Sequence, residues 1–257
     1  VNYAPVANTQ TVSTSEDTAK AITLTGSDIE GSPLTFAVVT QPTNGALSGA
    51  APNLTYTPNQ DFNGSDSFTF KVNDGSLDSS AATVTINITA VNDAPLITEG
   101  ASTSVSMSED NDPIDFELTL HATDVDSSIL TWSILSNATH GSANASGTGL
   151  SREISYEPDA NFDGIDSFVV QISDGSATDT ITVNVNIAAV NDAPVANAQS
   201  VTTEEDTPKA ITLSGSDVEE SDLTYTIVTQ PQHGTLNGDA PNLTYTPNQD
   251  FNGSDSF

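Results

Sequence analysis

Carboxylates are the groups with which this chain could do chemistry. It carries 35 Asp and Glu against 4 Lys and Arg, a formal charge of −31. They fall into five sets that recur along the sequence. Acidic pairs stand at Glu16-Asp17, Glu109-Asp110 and Glu205-Asp206. An Asp-x-acid triplet follows at Asp28/Glu30, Asp124/Asp126 and Asp217/Glu219. A turn then supplies Asp61 and Asp66, Asp163 and Asp166, and Asp250 and Asp255, and an Asp-Gly turn supplies Asp74 and Asp174. The fifth set is the pair Asn92-Asp93 and its copy Asn191-Asp192. Carboxylates gathered at one place repel one another unless a counter-ion sits among them. A hard dication taking 6–8 oxygen ligands answers that need, and calcium accepts carboxylate and carbonyl oxygens without rigid octahedral geometry. Magnesium is the poorer fit because it gives up water reluctantly. Turns also attract Asp and Asn for backbone reasons, which accounts for part of the pattern.

Other chemistries are poorly supplied. With no cysteine there is no disulfide, zinc-thiolate site or thiol nucleophile. The three histidines, His121, His140 and His233, show no shared Ser-His-Asp arrangement, and His140 and His233 occupy a turn that holds Asn44 in the first copy. They are expected to be solvated turn residues. Paired carboxylates serve glycoside hydrolysis from a single cleft, whereas these acids recur in every copy. The negative field excludes nucleic acid and anionic membrane as electrostatic partners. No apolar run approaches the ~20 residues of a membrane span. No Lys-Asn staple can recur, because the second copy lacks Lys. The Asn-x-Ser/Thr sequons are expected in any Thr-rich chain.

The elements that must position the acids are themselves repeated. Val91-Asn92-Asp93-Ala94-Pro95 returns as Val190-Asn191-Asp192-Ala193-Pro194, and Val1-Asn2-Tyr3-Ala4-Pro5 is a near copy. Leu54 to Phe68 returns residue for residue as Leu243 to Phe257, and in looser form from Ile154 to Phe168. Such self-similarity marks a tandem array, with units expected at residues 1–91, 92–190 and 191–257. Within a unit, apolar residues alternate with Thr, Ser or Asn, as at Leu34/Phe36/Val38 and Val84/Ile86/Ile88, the mark of a half-buried antiparallel sheet. Asn44-Gly45, Asn63-Gly64 and Asp74-Gly75 punctuate the run as turns. The alternation places strands near residues 9–15, 19–25, 34–40, 45–48, 53–57, 66–73 and 81–89. About seven short strands per unit predict an all-β chain of Greek-key sandwiches joined in an elongated rod. Trp132 aligns with Phe36 and Tyr225 as a core aromatic of the third strand.

In a sandwich the loops collect at two ends. The acidic pair and the Asp61/Asp66 turn are expected at the end leading into the next linker. The Asp-x-acid triplet and the Asp-Gly turn are expected at the opposite end. Acids of two units then converge on each Asn-Asp linker.

These motifs resemble cadherin repeats, and more closely the tandem cadherin-like and immunoglobulin-like repeats of large bacterial surface adhesins. The phrase Leu54-Thr55-Tyr56-Thr57-Pro58-Asn59-Gln60-Asp61-Phe62-Asn63-Gly64-Ser65-Asp66-Ser67-Phe68 is characteristic of those repeats, and the likeness covers the whole chain. The resemblance implies a secreted or cell-surface stalk without an enzymatic role. It implies calcium between units, held at the first joint by Glu16, Asp66, Asp93, Asp124, Asp126 and Asp174. At the second joint it implies Glu109, Asp166, Asp192, Asp217 and Glu219. Tyr3 stands where the linker Asp is expected, so a site above the first unit is not implied. The alternative function is a carbohydrate-binding repeat of an extracellular polysaccharide-binding or polysaccharide-degrading protein, which requires exposed aromatics. A ligand at other domains of a longer protein, polysaccharide or another surface, fits the stalk reading. Phe257 aligns with Phe68, so the chain reads as an excerpt whose third unit lacks its last two strands. That unit is expected as a five-strand remnant with an open apolar face at Ile211, Leu213, Tyr225 and Ile227.

Overall fold

A computed structural model describes all residues, 1–257. In the first unit the strands are β1 (Val6–Ala7), β2 (Gln10–Ser15), β3 (Lys20–Thr23), β4 (Gly26–Ser27), β5 (Thr35–Thr40), β6 (Gly45–Ala50), β7 (Asn53–Pro58), β8 (Gly64–Asn73) and β9 (Ala82–Thr89). They form one sheet in the order β2-β9-β8-β5 and another in the order β3-β7-β6, with the short pair β1-β4 beside them. The facing sides of the two sheets meet in a core of Ile22, Leu24, Tyr56, Phe68, Phe70, Val72, Val84 and Ile86. The period of two read in the sequence puts these residues on one side of each strand.

The second unit repeats the plan with β10 (Leu96–Ile97), β11 (Ser102–Ser108), β12 (Leu118–Thr123), β13 (Thr131–Ser136), β14 (Gly141–Asn144), β15 (Gly147–Thr148), β16 (Ser151–Pro158), β17 (Gly164–Ser173) and β18 (Thr178–Ala188). Its sheets run β11-β18-β17-β13-β15 and β10-β12-β16-β14. Trp132 sits at the centre of its core, 1% exposed, with Nε1 donating to the Gly149 carbonyl at 2.8 Å.

One pairing decides where each linker leaves. β2 runs parallel to β9, from Gln10↔Val84 to Ser15↔Thr89, and β11 runs parallel to β18. First and last strands that point the same way send the chain out at the end opposite to its start. The next unit therefore begins beyond that end, and no strand of one unit pairs with a strand of another.

In the third unit β19 (Val195–Ala196) pairs with β21 (Gly215–Ser216), while β20 (Lys209–Thr212), β23 (Asn242–Pro247) and β22 (Gly234–Asn237) form a sheet in the order β20-β23-β22. Of the five sandwich strands expected in this unit, only the counterparts of β3, β6 and β7 form. Residues 199–204 and 224–229, the counterparts of β2 and β5, are not strands. In the first unit β2 bonds only to β9 and β5 only to β8, so without those partners their backbone groups have no ladder to join. Ile211 is still buried by its own sheet, while Leu213, Tyr225 and Ile227 are half-buried.

Candidate metal centre

The parallel pair that ends at Ser15 and Thr89 carries Glu16 to the point where the linker departs, and the Glu16 amide donates to the Thr89 carbonyl at 3.0 Å. Glu16 is 4% exposed and accepts a short hydrogen bond from the Val91 amide through Oε1. Its other oxygen accepts from Asn63 Nδ2 at 3.5 Å. Asp17 lies in the left-handed region at φ 55° and its Oδ1 accepts from the Asp61 amide at 3.1 Å. From the second unit, Asp126 Oδ2 accepts from the Asp93 amide at 2.7 Å, and Asp174 Oδ2 accepts from Asn92 Nδ2 at 2.7 Å. Asp124 Oδ1 accepts from the amides of Asp126 and Ser127 at 2.9 and 2.6 Å, an Asx turn that holds the triplet.

Asp93 is the centre of this arrangement. Desolvation first, then the charges of Asp61, Asp126, Glu16 and Asp17, raise its pKa above the usual carboxylate range. Acids of both flanking units thus bear on one linker residue. No lysine or arginine answers them, since the single ion pair of the chain joins His121 Nδ1 to Glu99 at 2.8 Å, away from the joint. The Oδ2 atoms of Asp124 and of Asp192, like that of Asp28 in the first unit's own triplet, are shielded from water and have no hydrogen-bond partner. Buried polar atoms are nearly always paired, and an anionic oxygen left in this state suits a cation. No three acidic or histidine side chains converge closely enough to enclose a metal by themselves. The acids that touch the linker present oxygen donors only, the hard type that calcium takes.

The second joint is built alike but more sparsely. Glu109, 2% exposed, follows β11 in a short 3-10 turn, and its Oε1 accepts from the Val190 amide at 2.7 Å. The Asp192 amide donates to both oxygens of Glu219 at 3.3 Å, and Asn191 Nδ2 bonds the Asp192 carbonyl at 2.8 Å. Asp217 Oδ1 accepts from the Ser221 amide at 3.0 Å. No hydrogen bond joins Asp110 or Asp163 to this linker.

Two members of the predicted set serve another purpose. Asp66 Oδ1 accepts from the amides of Thr43 and Ser67 at 3.0 and 2.8 Å, and Oδ2 from the Asn44 amide and the Tyr56 hydroxyl, both at 2.9 Å. Asp166 makes the same four bonds to Thr139, Ser167, His140 and Tyr156. With every lone pair engaged inside its own sandwich, neither carboxylate is a free ligand. Burial pushes both upward, but the amide and hydroxyl donors outweigh it and hold them below the usual range. Tyr56 and Tyr156 move the other way, raised by burial and then by the neighbouring carboxylate.

The turn also aligns differently from the expectation. Asn161, at φ 57°, occupies the place of Asp61 at φ 56°, so Asp163 stands where Asn63 stands. Asn63, the donor to Glu16, was missed; anchoring the alignment on Phe62/Phe162 and Gly64/Gly164 exposes it. The turn histidines are not merely solvated: His140 stacks on Phe162 with centroids 4.1 Å apart, and His233 on Phe251 at 4.4 Å.

The bacterial Ig domain matches this chain three times in tandem, at residues 2–87, 92–186 and 191–257. The chain belongs to the bacterial Ig domain family. These bacterial Ig domains share their fold with cadherin ectodomains: the protocadherin gammaB7 EC3-6 structure is 17% identical, with a TM-score of 0.53 over 97% of this chain and 66% of that one. Among curated proteins, integrin beta-like protein A of Dictyostelium discoideum is 27% identical over 266 residues, 88% of this chain. The chain spans 14% of that relative's length. An endo-fucoidan hydrolase of glycoside hydrolase family 107 is 21% identical over 73% of this chain and 29% of its own, but a TM-score of 0.32 is too slight a likeness to bear on chemistry. No helix is long and apolar enough to cross a membrane.

Proposed function

We propose that these domains are non-enzymatic spacer repeats of a secreted or cell-surface bacterial adhesin, stiffened by calcium at their linkers. The observation that carries the reading is that acids of both flanking units hold one linker, Glu16 at the Val91 amide, Asp126 at the Asp93 amide and Asp174 at Asn92, with no basic residue paired to them. Asp124 and Asp192, with their unpartnered oxygens, belong to the same proposal, as do Asn92 and Asp174. At the second joint the set is Glu109, Asp110, Asp163, Asn191, Asp192, Asp217 and Glu219. Calcium would supply the positive charge that lets these carboxylates lie together. The chain's own contribution is positional: Glu16 and Glu109 clamp the first linker amide, and the triplet acids grip the linker from the far side. A linker held from both units cannot swing freely, and a string of such joints is a rod.

A carbohydrate-binding role is less well supported. Sugar platforms need exposed rings, and only Tyr3 and Phe257 are exposed among the aromatics.

The test compares melting and small-angle scattering in calcium and in chelator. Weak extracellular sites have dissociation constants of ~0.1–1 mM, and about a hundredfold excess of ion adds roughly 2.7 kcal/mol per site. Asp93→Ala is expected to remove the gain at the first joint while leaving both flanking sandwiches folded. Identical melting and scattering in calcium and chelator defeat the reading.

A further inference from the structure

β5 of the first unit and its counterpart β13 in the second carry the same irregularity in the larger sheet. β5 pairs with β8 in regular register from Thr35↔Asn73 to Val38↔Phe70, and the next pair is Thr40↔Thr69. Val39 is left without a partner. β13 does the same against β17: Ile134 faces Val170, Ser136 faces Val169, and Leu135 is skipped. These are β-bulges, each one extra residue, on the edge strand β5 and on β13, beyond which only the two-residue β15 lies. Both skipped residues are apolar and turned to solvent, Val39 at 52% and Leu135 at 57% exposure. Their counterpart Val228 is 96% exposed. In the first unit the Thr40 hydroxyl repairs the interrupted ladder by accepting from the Thr69 amide at 3.0 Å.

β5 closes one side of its sheet with no strand beyond it. A straight edge of this kind offers free amides and carbonyls to any incoming strand. The hazard is acute here, because the units carry homologous strands, near copies between the first and third, able to take one another's place. The bulge leaves four regularly paired residues, Thr35–Val38, about 13 Å of edge, short of the usual strand of ~5–6 residues. In the second unit β15 already covers Thr131 and Trp132, so the bulge has only the remainder to protect.

We infer that the bulges at Val39 and Leu135 are blocking devices that keep the β5 and β13 edges from pairing with strands of other copies of this chain. The device requires the extra residue, not its side chain. Val39 and Leu135 can therefore be replaced but not removed.

Three variants of the full chain test this, with sedimentation at matched concentrations against the parent. Deleting Val39 and Leu135 together straightens both edges and is expected to raise the association constant about tenfold or more, an effect of ~1.4 kcal/mol. Val39→Thr with Leu135→Thr keeps the bulges and is expected to sediment as the parent does. Adding Ala37→Lys and Ser133→Lys to the deletion variant places charge on the straightened edges and is expected to restore the parent's behaviour. A deletion variant no more associated than the parent overturns the inference. So does a substitution variant that associates like the deletion, which would assign the effect to the side chains. Association that the lysines leave unchanged also overturns it, since that marks misfolding rather than edge pairing.

Discussion

Replacing Asp166 separates a structural carboxylate from a metal ligand, and the second domain provides its own reporter. Trp132 is the only tryptophan and is buried in that domain's core, so its fluorescence follows one unit of a multidomain chain whose global unfolding is not two-state. Asp166→Ala strips acceptors from three backbone amides, Thr139, His140 and Ser167, and from the Tyr156 hydroxyl, around a residue 5% exposed. Hydrogen bonds to charged groups contribute about 1.5–3 kcal/mol each, and a buried donor left unsatisfied costs about 1–3 kcal/mol. Water entering the vacated space offsets part of the sum, and single substitutions seldom exceed ~4–5 kcal/mol. The expected loss is therefore about 4 kcal/mol. With a urea slope of ~1.5 kcal/mol/M, the Trp132 midpoint should fall by roughly 2–3 M. Tyr156→Phe deletes one bond of the four and should cost about 1.5–2 kcal/mol, so the two variants differ by about twofold. Both losses should be equal in calcium and in chelator. A midpoint shift below ~0.5 M for Asp166→Ala, or a shift found only in calcium, refutes the assignment.

The same network sets the pH response. Asp66 and Asp166 are held below the ordinary range in the fold, so their stabilisation is complete above the unfolded value of ~3.9 and is lost as pH falls through the folded value. Urea midpoints read by Trp132 should drop steeply below about pH 4, and Asp166→Asn should flatten that limb; an unchanged limb contradicts the linkage. Tyr156 is raised, so its contribution persists up to the unfolded value of ~10 and declines above it. Gly141→Ala would drive a Cβ to 2.5 Å from the Glu157 carbonyl and 2.6 Å from the Tyr156 hydroxyl oxygen. Overpacking of this kind costs about 1–3 kcal/mol, seen as a lowered Trp132 midpoint. Gly175→Ala, whose Cβ meets nothing within 4 Å but sits at φ 100°, separates backbone strain from crowding.

Much of this protein was legible in its sequence, because the signals are local. The alternation of Leu34, Phe36 and Val38, or of Val84, Ile86 and Ile88, reports which side of a strand is buried. Repetition then copies that information from unit to unit. Tertiary structure alone decided the roles of chemically equal carboxylates. Asp61 and Asp66 lie five residues apart in one turn, yet one faces the joint and the other is enclosed by Thr43, Asn44 and Tyr56. The difference lies in how distant loops fold over the turn, and spacing within it cannot carry that. The bulges at Val39 and Leu135 leave a trace in the strand pattern, since Val38-Val39 and Ile134-Leu135 double an apolar position and break the alternation, but the place of those strands in the sheet is set only by long-range pairing. Even the joint depends on a long-range pairing, the parallel contact of β2 with β9 that brings Glu16 to the Val91 amide. Which side of a strand is buried follows from nearest neighbours; which acid meets a linker follows from contacts some 75 residues apart in the chain.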